Sequence, residues 1–305
     1  MSQRVLVLGI NPFDSGKTEV SIDLVEALQA VGHRVEYFKP ASGSNYWYKY
    51  DHIKKCMKAG QLVSYDAARV RERLRSRVSP LVTNPVHTLF VPSRLERPGR
   101  IHPNSLGLAG WDSFLTLQRF SQPNGNVVQS TFLVAERLID DGIVMISRNE
   151  IQALTRYSRT IPITSMEQAQ ELEKSLYENA VERSFEVIER NAHFVIIESF
   201  NNSAWPWERL DYVDHVLVVG PGQVFVYDPE KFRTAVEFAK GRGRSVREVT
   251  LARVADLLSP RTRIELIPGQ GLKTDDVYQV IDDVGERMIS GKHLDARTDA
   301  GRSMV

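Results

Sequence analysis

The sequence predicts an α/β fold with a doubly wound, mostly parallel sheet, and two observations lead to this prediction. Short runs rich in valine and isoleucine recur with little polar alternation, as in parallel strands covered on both faces. Segments with an apolar residue at every third or fourth position separate them and predict amphipathic helices. Strands that alternate with helices are typical of this fold class.

The predicted elements follow one another along the chain. Strands are predicted over 4–10, 34–40, 193–199, 215–220 and 262–268. Helices are predicted over 17–31, 165–191, 229–241 and 274–290. Gly32 provides a stop for the first helix, and Thr274 is a suitable N-cap for the last. These elements assign residues 1–79 and 165–290 to one core.

Residues 80–164 break the rhythm of the core, because proline and glycine turns separate runs rich in β-forming residues. The segment 122–126 contains Asn-Gly, which tolerates the positive φ of a tight hairpin turn. We therefore expect an inserted small β-rich segment with its own antiparallel sheet beside the ligand-binding end of the core. Residues 291–305 are poor in apolar side chains and are predicted to be a flexible tail.

Composition excludes several classes of protein. The 305 residues are 42% hydrophobic, and the formal net charge of +1 gives no whole-chain attraction to nucleic acid or anionic membranes. Cys56 is the single cysteine, so an intrachain disulfide framework is excluded. The N-terminal sequence does not resemble a signal peptide, and no apolar run reaches the roughly 20 residues of a membrane span. A cytoplasmic protein with no membrane or nucleic-acid partner is expected.

The stretch GINPFDSGKTEV, residues 9–20, carries the first functional signal. A phosphate-binding loop requires a strand, a closely approaching turn and a helix N-terminus, and residues 4–31 supply these in order. Lys17 would then contact the phosphates and Thr18 would bind Mg²⁺. The common pattern G-x-x-x-x-G-K-[ST] requires glycine at position 11, but the chain has Asn11 there, and Gly9 stands two residues too early.

Three more charged residues follow predicted strands or begin a helix. Lys39 ends the second strand and Glu198 ends the strand over 193–199, so both lie at the edge where such sheets bind ligands. Asp66 lies in the first turn of a helix that Ser64 can cap. A carboxylate directly after an apolar strand is costly unless it is paired or bound to a metal. A surface lysine and a helix-start charge are the alternative interpretations of Lys39 and Asp66.

The order of these motifs resembles dethiobiotin synthetase and its relatives among the ATP-dependent amidoligases and MinD-like P-loop proteins. The resemblance rests on DSGKT (14–18), FKPASGS, SYDA, VTNPV and VIIESFNNS, over roughly residues 4–225. The family loop also lacks the early glycine at the common spacing, so an altered loop is normal there. The chain departs from the family in Asp14, where glutamate is usual, and in Asn201 and Asn202, where glycines are usual.

The resemblance implies a fold of the P-loop NTPase type, a bound ATP or other nucleoside triphosphate, and Mg²⁺. It also implies phosphorylation of a carboxylate or carbamate on a small-molecule acceptor, and a homodimer. The implied nucleotide contacts are Asn11, Asp14, Ser15, Gly16, Lys17, Thr18 and Glu19. The implied catalytic residues are Lys17, Lys39 and Asp14, the metal ligands are Thr18, Asp66 and Glu198, and the acceptor-binding residues are Ser42, Ser44 and Asn84.

Two other functions stay open at this stage, a MinD-like ATPase switch and a regulatory module that binds nucleotide without turnover. The switch branch carries an extra early lysine that residues 9–12 lack, and a pure sensor has no need of metal ligands. The aromatic segment 45–50 suits either ligand stacking or packing against the insertion. The arginine-rich segment 68–77 suits an anionic ligand, RNA or a solvated helix face. The identity of the acceptor and the preference among ATP, GTP and CTP are not determined by these residues.

Overall fold

A computed structural model of the chain has a mixed α/β fold with two sheets. It describes residues 2–12, 14–74, 76–95, 113–190, 192–267 and 269–281. The predicted tail 291–305 lies outside these residues. None of the helices in the described ranges combines the length and the apolar character needed to cross a membrane.

The strands and helices are numbered in chain order. The strands are β1 Gln3–Gly9, β2 Val35–Phe38, β3 Ala41–Asn45, β4 Val86–Pro92, β5 Ser113–Asn124, β6 Val127–Val134, β7 Arg159–Pro162, β8 Phe194–Glu198, β9 His215–Gly220, β10 Gln223–Tyr227 and β11 Thr262–Glu265. The helices are α1 Lys17–Ala30, α2 Tyr50–Ala59, α3 Tyr65–Arg73, α4 Pro80–Thr83, α5 Glu136–Asp140, α6 Arg148–Thr155, α7 Met166–Glu189, α8 Pro229–Lys240, α9 Leu251–Ala255 and α10 Thr274–Val280.

The first sheet has the strand order β11-β10-β9-β1-β8-β2. Strands β9, β1, β8 and β2 pair in parallel, which confirms the parallel core expected from the four corresponding apolar runs. The sequence did not predict β10, which follows β9 after the turn that contains Gly222 (φ +76°). Strand β10 lies between β9 and β11, so β11 joins the sheet by antiparallel pairing with β10 rather than as another parallel strand.

Apolar side chains cover both faces of this sheet, which explains why its strands show little polar alternation. Val5 and Val7 of β1 pack with α1, whereas Leu6 and Leu8 belong to the larger core that includes α7. Parallel strands that are buried in this way expose only their ends to solvent. The carboxyl edge of the sheet is therefore where polar side chains collect.

The second sheet has the order β3-β4-β5-β6-β7. Its central β4–β5 and β5–β6 pairs are antiparallel, and its two outer pairs are parallel. The predicted hairpin at 122–126 is confirmed, with Gly125 at φ +59° in the turn between β5 and β6. The predicted segment 80–164 supplies β4 to β7, but β3 comes from the chain directly after β2. The second sheet therefore starts within the predicted core segment 1–79.

Arg119 of β5 is buried at 1% exposure and joins two loops to the second sheet. Its guanidinium donates hydrogen bonds to the backbone carbonyl oxygens of Leu62 (2.7 Å), Asn84 (2.6 Å) and Pro85 (3.3 Å), and it also contacts the hydroxyl of Ser121. These carbonyls belong to loops that enter α3 and β4. A buried guanidinium that is satisfied by carbonyl groups holds the loops at fixed positions.

We predict that Arg119→Met destabilises the protein by at least about 3 kcal/mol, because the buried carbonyl groups of Leu62 and Asn84 lose their donor. Arg148→Met is the matched control, since Arg148 forms an exposed ion pair with Asp140 and is expected to cost less than about 1 kcal/mol. Urea unfolding measures both free energies. Equal unfolding midpoints for the two variants would contradict this role of Arg119.

Candidate functional site

The loop between β1 and α1 is a compact turn that places the first residues of α1 over the end of β1. The Ser15 hydroxyl accepts a hydrogen bond from the Asn11 amide (3.0 Å) and donates one to the Asn11 carbonyl (2.8 Å). Gly16, at φ +87°, precedes α1, and Asp14 has φ +52°. Serine therefore closes this turn, and glycine supplies the backbone conformation that other residues rarely adopt.

Gly9, the glycine that stands too early for the common pattern, has a steric function. A Cβ at this position would lie 2.5 Å from Nζ of Lys17 and 2.7 Å from Oγ of Ser15. Both distances are shorter than van der Waals contact, so a larger residue would displace the lysine from the end of β1. The loop thus needs its first glycine for close approach of a side chain.

Lys17 begins α1 and is largely buried, with 9% exposure. Its ammonium donates a hydrogen bond of 2.9 Å to the carbonyl oxygen of Asn201, which has φ +51° in the loop after β8. Burial lowers the pKa of Lys17, the charge of Lys39 lowers it further, and Glu198 opposes both effects. A desolvated ammonium group that has a single carbonyl partner is well suited to bind an anion.

Glu198 ends β8 and is buried at 1% exposure with both carboxylate oxygens occupied. Oε1 accepts hydrogen bonds from Lys39 (2.7 Å) and Thr18 (3.2 Å). Oε2 accepts hydrogen bonds from Tyr37 (2.8 Å) and Ser21 (3.3 Å). The sequence expectation that this carboxylate needs partners is confirmed. We call Glu198, Lys39, Asp66, Tyr37, Ser21 and Thr18 the Glu198 cluster.

Lys39 joins the two acidic groups of this cluster, because Nζ also lies 2.9 Å from Oδ2 of Asp66. Burial acts to lower the pKa of Lys39, but the carboxylates of Glu198 and Asp66 outweigh burial and raise it. Burial acts to raise the pKa of Asp66, and the charge of Lys39 reverses this and lowers it. Lys39 and Asp66 are therefore both charged at neutral pH. Lys39 is not the surface lysine of the alternative interpretation.

The remaining loop residues of the predicted nucleotide set differ in their surroundings. Asp14 is exposed, and its charge acts to raise the pKa of Lys17, which places it near that ammonium. Glu19 forms an ion pair of 2.7 Å with Arg69 of α3, and Arg73 pairs with Glu26 in the same way. These pairs connect α1 to α3 across an exposed surface, as a solvated helix face predicts for the arginine-rich segment.

The three predicted acceptor-binding residues lie in the interior between the sheets. The Ser42 hydroxyl lies 2.9 Å from the Asn84 side-chain oxygen and 2.6 Å from Nδ1 of His87. Asn84 donates to the carbonyls of Lys39 (2.8 Å) and Val86 (3.1 Å). Ser44 is also buried. This network fixes the backbone behind Lys39, and binding of an acceptor by these residues stays a prediction.

Sequence reasoning missed Tyr37, Ser21 and the carbonyl of Asn201. Two periodicities could have found the side chains: Tyr37 lies two residues before Lys39 on the same face of an extended chain, and Ser21 lies one helical turn after Lys17. The contact of Asn201 has no sequence signal beyond an asparagine that tolerates positive φ.

The cluster contains the types of oxygen ligand that Mg²⁺ uses when it binds together with phosphate, although both oxygens of Glu198 are already hydrogen-bonded. Such a site needs one or two carboxylates and a hydroxyl, the remaining ligands being water and phosphate. The Thr18 hydroxyl donates a hydrogen bond to Glu198, and Lys39 forms ion pairs with both Glu198 and Asp66. Within the described ranges, no group of three or more histidine, cysteine, aspartate or glutamate side chains is arranged to hold a metal by itself.

Comparison with known proteins adds no relative to this description. No protein-family model matches the chain, and no curated protein sequence matches it either. The loop after β1, the loop after β8 and the Glu198 cluster are the features of the structure that point to a function.

We predict that Lys39→Met destabilises the protein by about 3–5 kcal/mol, because it leaves the buried Glu198 carboxylate without its counter-charge. Adding Glu198→Leu to Lys39→Met should restore much of the loss, since the pair is then replaced by apolar groups. Lys58→Met, on the exposed surface of α2, is the control and should change the free energy of unfolding by less than about 0.5 kcal/mol. A Lys39→Met protein that unfolds at the wild-type urea concentration would refute the proposed role of the pair.

Proposed function

We propose that the protein is a Mg²⁺-dependent enzyme that binds ATP or another nucleoside triphosphate and phosphorylates a carboxylate or carbamate on a small-molecule acceptor. The observation that carries the proposal is the meeting of two lysines, one threonine and two carboxylates at the carboxyl edge of β1, β2 and β8. The resemblance to dethiobiotin synthetase and its relatives supports the same function, and it adds a P-loop type of fold, a homodimer and a cytoplasmic location to the proposal.

The loop residues would bind the triphosphate. The N-terminus of α1 and the amides of the loop attract anions. Lys17 would exchange the carbonyl of Asn201 for phosphate oxygens. This exchange replaces a neutral partner by a charged one, so it favours the bound state.

The Glu198 cluster would act on the transferring group. A bound Mg²⁺ would neutralise charge on the phosphate oxygens. Thr18, Asp66 and Glu198 would hold the metal, and Lys39 would move its ammonium toward the γ-phosphate and the acceptor. An acceptor carboxylate oxygen attacks the γ-phosphorus, the bond to the bridging oxygen breaks, and the electron pair leaves with the nucleoside diphosphate. The acceptor leaves this step as an acyl phosphate.

One observation favours the second candidate, a nucleotide-dependent switch. The loop after β8 contacts Lys17 through Asn201, and its Phe200 ring lies against Gly43 of β3, where a Cβ would be 3.3 Å from the ring. Release of Lys17 from Asn201 would therefore free a loop that touches the second sheet. In such a switch, nucleotide binding would change a surface for a protein partner, with slow turnover.

We predict that Lys17→Met lowers Mg²⁺-ATP turnover by about 100-fold or more, the range typical of removing one charge-stabilising donor. Phosphate release by purified protein measures this, with and without pooled small metabolites, and GTP and CTP test the preference for the base. Lys58→Met is the matched control and should retain the wild-type rate.

The outcomes of this assay separate the candidates. Turnover that metabolites stimulate, and that Lys17→Met abolishes, supports the acceptor-phosphorylating enzyme. Tight nucleotide binding with no turnover in any metabolite mixture contradicts the enzyme and favours the switch. Equal turnover by wild type and Lys17→Met would contradict both, because both need the loop.

A further inference from the structure

A second group of side chains lies beside the Glu198 cluster on its solvent side. Lys49 lies with Nζ 4.3 Å from the ring centroid of Tyr65, the residue next to Asp66. Lys49 is near enough to Asp66 that its charge helps to lower the pKa of that carboxyl, after burial and Lys39 have had their larger effects. The structure therefore brings the exposed Lys49, through its contact with Tyr65, near the Asp66 end of the Glu198 cluster.

Lys49, the N-cap residue of α2, differs from Lys54 within that helix in having no ion pair with any carboxylate of the described residues. Lys54 pairs with Asp51 at 2.7 Å, whereas the side-chain partner of Lys49 is the aromatic face of Tyr65. A lysine held over a ring keeps its charge available to a ligand, because cation–π attraction does not neutralise it.

Two aromatic residues directly before Lys49 are exposed although their backbone is fixed. Trp47 is 60% exposed and Tyr48 is 76% exposed. The side-chain oxygen of Asn45 accepts hydrogen bonds from both of their amides, at 3.0 and 3.3 Å. The Tyr46 side chain turns inward instead and donates to Glu150 of α6 at 2.8 Å. The sequence suggested either packing or ligand stacking for the segment 45–50. Tyr46 packs in the interior, whereas Trp47 and Tyr48 face solvent, where they could contact a ligand.

We propose that Trp47, Tyr48 and Lys49 form the subsite for the acceptor, and that the acceptor is an organic acid with a planar ring. This proposal rests on the proposed phosphoryl transfer for its orientation, with the reacting group toward Lys39 and the ring against the aromatic pair. Aromatic faces bind planar rings by stacking, and Lys49 supplies attraction for a negative charge. The hydrogen bonds to Asn45 fix the backbone of Trp47 and Tyr48 before the ligand arrives, which reduces the entropic cost of binding.

The test uses benzoate as the probe and the emission of Trp47 as the signal, which is separated by difference from the emission of the other three tryptophans, Trp111, Trp205 and Trp207. Trp47→Phe identifies the part of the emission that comes from this residue. Benzamide has the ring without the charge, and cyclohexanecarboxylate has the charge without the aromatic face. A ligand of this size is expected to bind with a Kd of about 1 mM or weaker.

The expected result is saturable quenching of Trp47 by benzoate, with affinities at least about 5-fold weaker for benzamide and cyclohexanecarboxylate, in keeping with one lost charge or stacking contact. Lys49→Gln should reduce benzoate binding to the level of benzamide, and Lys58→Gln in the last turn of α2 should not change it. No saturable quenching, equal affinity for the three probes, or an unchanged affinity in Lys49→Gln would each overturn the proposal.

This experiment contains no nucleotide, so its result is independent of turnover. If the protein binds benzoate as expected but releases no phosphate, the result supports the subsite and contradicts the proposed function. If the protein turns over Mg²⁺-ATP but binds the three probes equally, the result supports the proposed function and contradicts the subsite.

Discussion

The buried ion pair between Lys39 and Glu198 is the interaction on which the other features of the site depend. It joins the ends of two adjacent parallel strands, β2 and β8, at a point where neither side chain reaches solvent. An unpaired charge in such a position would be strongly destabilising, so each of the two residues compensates the buried charge of the other. Thr18, Ser21 and Tyr37 complete the hydrogen bonds of Glu198 and bring α1 into the same network. A polar site is thereby built into an otherwise apolar sheet.

The same lysine connects this site to the second sheet through its backbone. The Lys39 amide donates to the carbonyl of Thr83 at 2.9 Å, and the Lys39 carbonyl accepts from Asn84 at 2.8 Å. Two residues later the chain enters β3, which belongs to the second sheet. The segment from β2 to β3 is thus shared by both sheets. A displacement of Lys39 toward a phosphate would act directly on the strand that leads to Trp47 and Lys49.

The sequence predicted the parts of the fold that depend on local pattern. The parallel strands and the helices over 17–31 and 165–191 are where apolar runs and periodicity place them, within a few residues. Strand β3 was missed because Ala41 is the only apolar residue of ASGSN and the segment has no β-branched residue, and its strand state comes from pairing with β4. The meeting of Lys39 and Glu198 was predicted from strand ends and that of Asp66 from the first turn of a helix, but the burial of Asn84 was not predicted, because it depends on a sheet assembled from distant segments.

The central claim is that the loop after β1 and the Glu198 cluster form one site for a metal-bound triphosphate. The most direct measurement is the urea unfolding midpoint with and without a non-hydrolysable ATP analogue, each in the presence and absence of Mg²⁺. A ligand at 100 times its Kd stabilises the folded state by about 2.7 kcal/mol, and we expect a shift of this order with Mg²⁺ present. The shift should shrink without Mg²⁺ and vanish in a Lys17→Met protein that is otherwise folded. An unchanged midpoint with the Mg²⁺-bound analogue, or an equal shift in the Lys17→Met protein, would contradict the account.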